Sequence, residues 1–117
     1  MVRSVLYLRQ VSGGPGAIER FFAAEGVLER SARTPGFLGA ELQVPDDEEA
    51  PALVTALWQS RQAYRTWVED PWRAQNAKRA AAVFTPVEGP DGGGSLYEVA
   101  IAVGPIHGRR GSEDREP

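Results

Sequence analysis

The chain has 117 residues, which fits one domain built on a single core. Its 42% hydrophobic and 25% charged residues match an ordinary globular protein, and a net charge of −3 with scattered arginines gives no nucleic-acid footprint. The absence of cysteine excludes a disulfide framework, a thiol nucleophile and thiolate metal sites, and no apolar run approaches the roughly 20 residues of a membrane span, so a cytoplasmic protein is expected.

Residues 3–11, RSVLYLRQV, are rich in β-branched and aromatic side chains and stop at a Ser-Gly-Gly-Pro-Gly cluster, which predicts a strand. One face carries Val5, Tyr7, Arg9 and Val11, the other Ser4, Leu6, Leu8 and Gln10. Each turns polar near its end, as in a strand covered on both sides that opens onto something polar at its tip. From Ala17 to about Arg33, Ile18, Phe21, Phe22, Leu28 and Ala32 recur at helical spacing. Glu25 lies on the same stripe. Burial there would raise its pKa and make it a proton acceptor near neutrality; at the stripe's edge it would instead reach water or an arginine such as Arg33.

Thr34-Pro35-Gly36 signals a turn, and residues 37–44, FLGAELQV, alternate as a second strand. The acidic run PDDEEAP, residues 45–51, reads as a solvated loop, because nothing in its spacing makes the carboxylates converge on a metal. Residues 52–59, ALVTALWQ, form a third strand, apolar enough to be covered on both faces.

The stretch Trp58 to Phe84 holds all three tryptophans of the chain. Ser60 is a good helix N-cap, and Tyr64, Trp67 and Val68 share one face of the helix it starts. Asp70-Pro71 breaks that helix and begins another. The second helix offers two inner faces, Ala74/Ala77/Ala81/Phe84 or Trp72/Gln75/Asn76/Arg79/Ala80/Val83, and periodicity does not choose between them. Residues 85–95 read as a Gly- and Pro-rich loop, 96–103 as a fourth strand, and 105–117 as a disordered tail after a domain spanning 1–104.

Strand, helix, strand, strand, split helix, strand is the order of the ferredoxin-like βαββαβ fold, an α+β architecture with helices on one face of an antiparallel sheet. The other sheet face needs cover, and a second copy of the chain supplies it most simply, so a homodimer is expected. Aromatic walls suit a flat small-molecule ligand, and the ring-binding candidates are Trp67, Trp72 and Tyr64, with Tyr7 contributing from the first strand. Glu25 and then the single histidine, His107, are the proton-transfer candidates. Arg9, Gln10 and Arg79 are candidates for holding an anion. A transition-metal site would need ligands that this spacing does not bring together, and no dinucleotide fingerprint follows a strand into a helix, so no cofactor is expected.

The segments TPGFLGAEL (34–42) and ALWQSRQAYRTWVEDP (56–71), in this order and separation, resemble the antibiotic biosynthesis monooxygenase family of dimeric α+β barrels. The resemblance implies a ferredoxin-like protomer, a dimer formed through the sheets, and a pocket between sheet and helices. Some members oxidise phenolic or anthrone-type rings of aromatic polyketides with dioxygen and no cofactor, while others degrade haem. The family's functional tryptophan matches Trp67. Where cofactor-independent members often carry Asn, one turn earlier, this chain has Ala63. Where haem-degrading members carry a His ligand, it has Ala77. The expectation is a cofactor-independent oxygenase acting on an aromatic polyketide-type substrate in antibiotic biosynthesis. A cyclase or isomerase that leaves oxygen aside, or a dimer that only binds its ligand, would use the same pocket.

Overall fold

A computed structural model describes residues 1–87 and 94–104. The elements run β1 (Val2–Gln10), α1 (Ala17–Glu25), α2 (Val27–Ser31), β2 (Phe37–Gln43), β3 (Ala52–Trp58), α3 (Arg61–Val68), α4 (Pro71–Ala81), β4 (Phe84–Val87) and β5 (Ser95–Glu98). All strand pairings are antiparallel, in the order β2-β3-β1, with β4 and β5 both on the outer side of β1. This is the α+β, ferredoxin-like arrangement expected from the sequence, with the helix after β3 divided in two.

The register decides which side chains face the helices. Val2 lies opposite Trp58, Ser4 opposite Ala56, Leu6 opposite Val54 and Leu8 opposite Ala52, and directly opposed residues share a face. Val2, Leu8, Ala52, Ala56 and Trp58 are all buried there. Trp58 is fully buried and packs edge-on against Phe37 and Tyr64, with centroids at 5.6 and 6.0 Å. Its indole N–H donates to Ser4 Oγ at 3.0 Å, so the polar atoms of both residues are satisfied inside the core. A second cluster at the other end joins Leu8, Ile18, Phe22 and Ala52. The opposite face of the sheet carries the alternate residues, including Tyr7 and Tyr97, both exposed.

Three expectations are corrected. The helix from Ala17 to Arg33 is broken at Gly26, whose φ of 63° is left-handed and open to glycine at no steric cost. Phe84 does not close the small-residue stripe of the second helix. It begins β4, which pairs with Tyr7 to Gln10 and occupies the start of the expected loop; Pro86 is tolerated because β4 is an edge strand. The last strand stops at Glu98 rather than Val103, leaving Ile101 and Val103 almost wholly exposed. Together β4 and β5 do the work of one interrupted edge strand. The expected tail, 105–117, lies outside the described residues.

Candidate active site

A cavity of about 500 Å³ lies between the helices and the sheet, a volume typical of a small-molecule site. Leu6, Leu8, Val54 and Ala56 line it from the sheet, Phe22 and Leu28 from α1 and α2, Tyr64 and Trp67 from α3, and Trp72, Arg73, Asn76 and Ala77 from α4.

The break between α3 and α4 builds its aromatic wall. Ser60 Oγ accepts from the Ala63 N–H at 3.2 Å and starts α3, whose spacing turns Ala63 and Trp67 inward. Asp70 stays extended before Pro71, and its carboxylate accepts from the Trp72 N–H at 2.9 Å, capping α4. The chain therefore turns sharply enough to stack Trp72, in the first turn of α4, on Trp67, in the last turn of α3. Their centroids are 6.2 Å apart and their planes 29° from parallel. Arg30 braces the corner, donating to both Asp70 oxygens at 3.3 and 3.4 Å while lying 6.0 Å from the Trp72 ring. The cap hydrogen bond from Trp72, then the bond from Arg30, hold the Asp70 carboxyl below its ordinary pKa.

Trp67 carries a guanidinium of its own. The Arg73 Cζ sits 5.3 Å from the Trp67 centroid, a cation–π geometry. Burial lowers the Arg73 pKa, and the neighbouring Tyr64 and Asp70 act in the opposite direction. An arginine stays protonated under such a shift. Arg73 lines the cavity, and among the described residues its guanidinium makes no hydrogen bond and no salt bridge.

The sequence candidates separate into three groups. Trp67, Trp72 and Tyr64 come together on the cavity. Glu25 and Arg79 do not line it: they pair with each other, Arg79 Nη2 to Glu25 Oε1 at 2.8 Å, and Arg79 also donates to Asn76 Oδ1. Glu25 thus has an arginine partner, but it is Arg79 from α4 and not Arg33. Arg9 and Gln10 border a separate groove near Glu48 and Glu49, where Arg9 donates to the Glu49 carbonyl at 3.1 Å and Gln10 to that of Gly14. Tyr7 points to the far face of the sheet, because Leu6 and Leu8 on either side of it face the helices. His107 lies outside the described residues.

Helix α4 contributes parts of both faces proposed for it, Ala74, Ala77 and Ala81 from one and Trp72, Asn76 and Ala80 from the other. Arg73 belongs to neither stripe. Its link to Trp67 crosses the helix break, so no helical periodicity could have found it. Ala63 is buried in the core and does not line the cavity.

The fold and this cavity define a ferredoxin-like α+β protein with an aromatic small-molecule pocket between helices and sheet. Residues 6–78, more than half of the chain, match the family model for antibiotic biosynthesis monooxygenases, and the chain belongs to that family. Membership indicates a monooxygenase-type role. A cofactor-independent oxygenase from Streptomyces nogalater, SnoaB, superposes with a TM-score of 0.70 at 22% identity, covering 87% of this chain and 95% of that one. The haem degrader MhuD from Mycobacterium tuberculosis, whose structure holds two haems in its active site, superposes with a TM-score of 0.65 at 30% identity, covering 89% of this chain and all of that one. Comparison with curated proteins gives no match.

Proposed function

We propose that the protein is a cofactor-independent monooxygenase that oxidises a phenolic or anthrone-type ring of an aromatic polyketide with dioxygen. The observation that carries this reading is the stacked Trp67–Trp72 wall with Arg73 against it, inside an otherwise largely apolar cavity. Such a site binds a flat ring system and favours its anion.

The substrate supplies the electrons. Loss of a proton to water gives a ring anion, which passes one electron to dioxygen; the radical and superoxide join through a new C–O bond, and the peroxide anion takes a proton back. The resulting peroxide loses water to leave a carbonyl. The ring methylene has then lost two hydrogens, one oxygen atom remains on carbon, and the other leaves as water. The protein's part is to orient the ring on Trp67 and Trp72, hold the anion, and exclude bulk water with the leucines and valines of the floor.

Haem fits these residues poorly. Among the described residues lining the cavity there is no imidazole, thioether or carboxylate, and Ala77 presents only a methyl group where the family resemblance would put a histidine ligand. The Tyr64 hydroxyl is packed against Gly94, where a Cβ would lie 2.5 Å from it.

The protein is further proposed to work as a homodimer joined through the sheet face that carries Tyr7 and Tyr97, which leaves the helix-side cavity of each protomer free.

The test is oxygen uptake by metal-stripped protein with an anthrone, combined with mass analysis of the product formed under labelled dioxygen. The expected product gains one labelled oxygen and loses two hydrogens. Equal turnover under argon would sink the proposal, and a product of unchanged mass would point to cyclisation or isomerisation.

A further inference from the structure

Several arginines surround the aromatic wall, and all but one are already matched. Arg30 is held by Asp70 at 3.3 Å and Arg79 by Glu25 at 2.8 Å. Arg73 alone among these three lines the cavity, and it has no carboxylate partner. A guanidinium taken from water without a directly bonded counter-charge carries a desolvation cost, which Asp70, itself bonded to Arg30, offsets only from a distance. The face of Trp67, 5.3 Å from the Arg73 Cζ, offsets only part of that cost. Among the described residues the cavity lining offers nothing anionic to complete the pairing: its polar side chains are Ser4, Ser31, Tyr64, Asn76 and Thr85, all neutral. The arrangement is that of a site lacking one negative charge beside the aromatic ledge.

We propose that Arg73 is an anion seat and selects the substrate, so that the cavity takes a planar aromatic ligand bearing an anionic oxygen next to the ring. The ring lies along Trp67 and Trp72, and the carboxylate or ionised phenol accepts hydrogen bonds from the Arg73 fork. This rests on the reading of the cavity as the substrate site and narrows it to acidic aromatics. The same seat would hold the ring anion formed on proton loss, the species that must persist long enough to meet dioxygen. Cyclic aromatics without an acidic group would bind on stacking alone.

The experiment compares two probes of nearly equal shape, 9-anthracenecarboxylate and 9-anthracenemethanol, by quenching of tryptophan fluorescence in the intact protein. The wild type should prefer the carboxylate by about 10- to 100-fold, the range of one charge-assisted hydrogen-bonded contact. Arg73→Gln should remove that preference while moving the alcohol's affinity by less than about fivefold. Arg73→Lys, which keeps the charge, should retain part of it, and this separates lost charge from a damaged fold. Equal binding of both probes by the wild type, no binding of either, or a Gln variant that weakens both alike would overturn the proposal. The readout needs no turnover. If oxygen uptake fails while the preference depends on Arg73, the oxygenase reading falls and the seat stands; if uptake succeeds with no such preference, the reverse holds.

Discussion

Arg79 on α4 donates to Glu25 at the end of α1 at 2.8 Å, closing a pair between two residues that the sequence assigns to proton transfer and anion binding. The pair lies outside the cavity, with the Arg79 side chain 62% exposed, and it ties α4 to α1. Exposed pairs of this kind contribute about 0–1 kcal/mol. Glu25→Gln is therefore expected to lower stability by less than about 1 kcal/mol in urea unfolding. It should leave ring binding within about twofold of wild type, since a change below about 0.5 kcal/mol is all that an outlying pair can transmit. A loss of turnover with unchanged binding would instead restore Glu25 as the proton acceptor.

The Ser4–Trp58 hydrogen bond is the opposite case, small in area but fully enclosed. Trp58 has no exposed surface, and Ser4 Oγ is the partner of its indole N–H at 3.0 Å. Ser4→Ala strands that donor in the core, which costs about 1–3 kcal/mol. Ser4→Thr keeps the hydroxyl and, if the extra methyl is accommodated, should lose less. Denaturant midpoints of the two variants check the order. Equal destabilisation would show that volume, and not the hydrogen bond, matters at this position.

Much of this organisation was legible in the sequence because it is written in local chemistry. Strand alternation, the Ser60 and Asp70 caps and the Pro71 break are each decided within a few residues, and the structure has them where the pattern puts them. The tryptophan wall was readable for the same reason, since Tyr64 and Trp67 share a helical face. What failed to show was long-range. Whether Glu25 meets water, a ligand or Arg79 depends on how α1 lies against α4, 54 residues later in the chain. Arg73 faces Trp67 only because the chain folds back at Asp70. Phe84 fitted a helical stripe, and its pairing with Gln10 overrode that local preference.

Acid should loosen the corner between α3 and α4 by way of Asp70. Its pKa is depressed in the folded protein, by the Trp72 N–H first and Arg30 second. A carboxyl of this kind contributes stability that is fully present above its unfolded value, near 3.8, and disappears as pH falls through the lower folded value. Glu98, held low by Arg61 and the N-terminal amine, adds a contribution of the same sign. Melting temperature should therefore fall below about pH 4, and Asp70→Asn should reduce the slope of that fall while lowering stability at neutral pH. An unchanged acid slope in the variant would exclude the cap as its source.

Placing at position 63 the asparagine that cofactor-independent members of the family often carry offers a sharp test of where catalysis resides in this chain. Ala63 is 6% exposed and belongs to the core cluster of Val2, Ala56, Trp58 and Trp67, off the cavity surface. It abuts the Thr34-Pro35-Gly36 turn closely: a Cβ on Gly36, itself at a φ of +91°, would come within 2.7 Å of the Ala63 Cβ. An asparagine there has to find room beside the turn and partners for its amide in an apolar cluster. Crowding and unpaired polar groups each cost on the order of 1–3 kcal/mol. Ala63→Asn is thus expected to destabilise the fold by about 2 kcal/mol or more without increasing oxygen uptake. A variant that instead gained turnover at unchanged stability would show that its amide reaches the cavity after all.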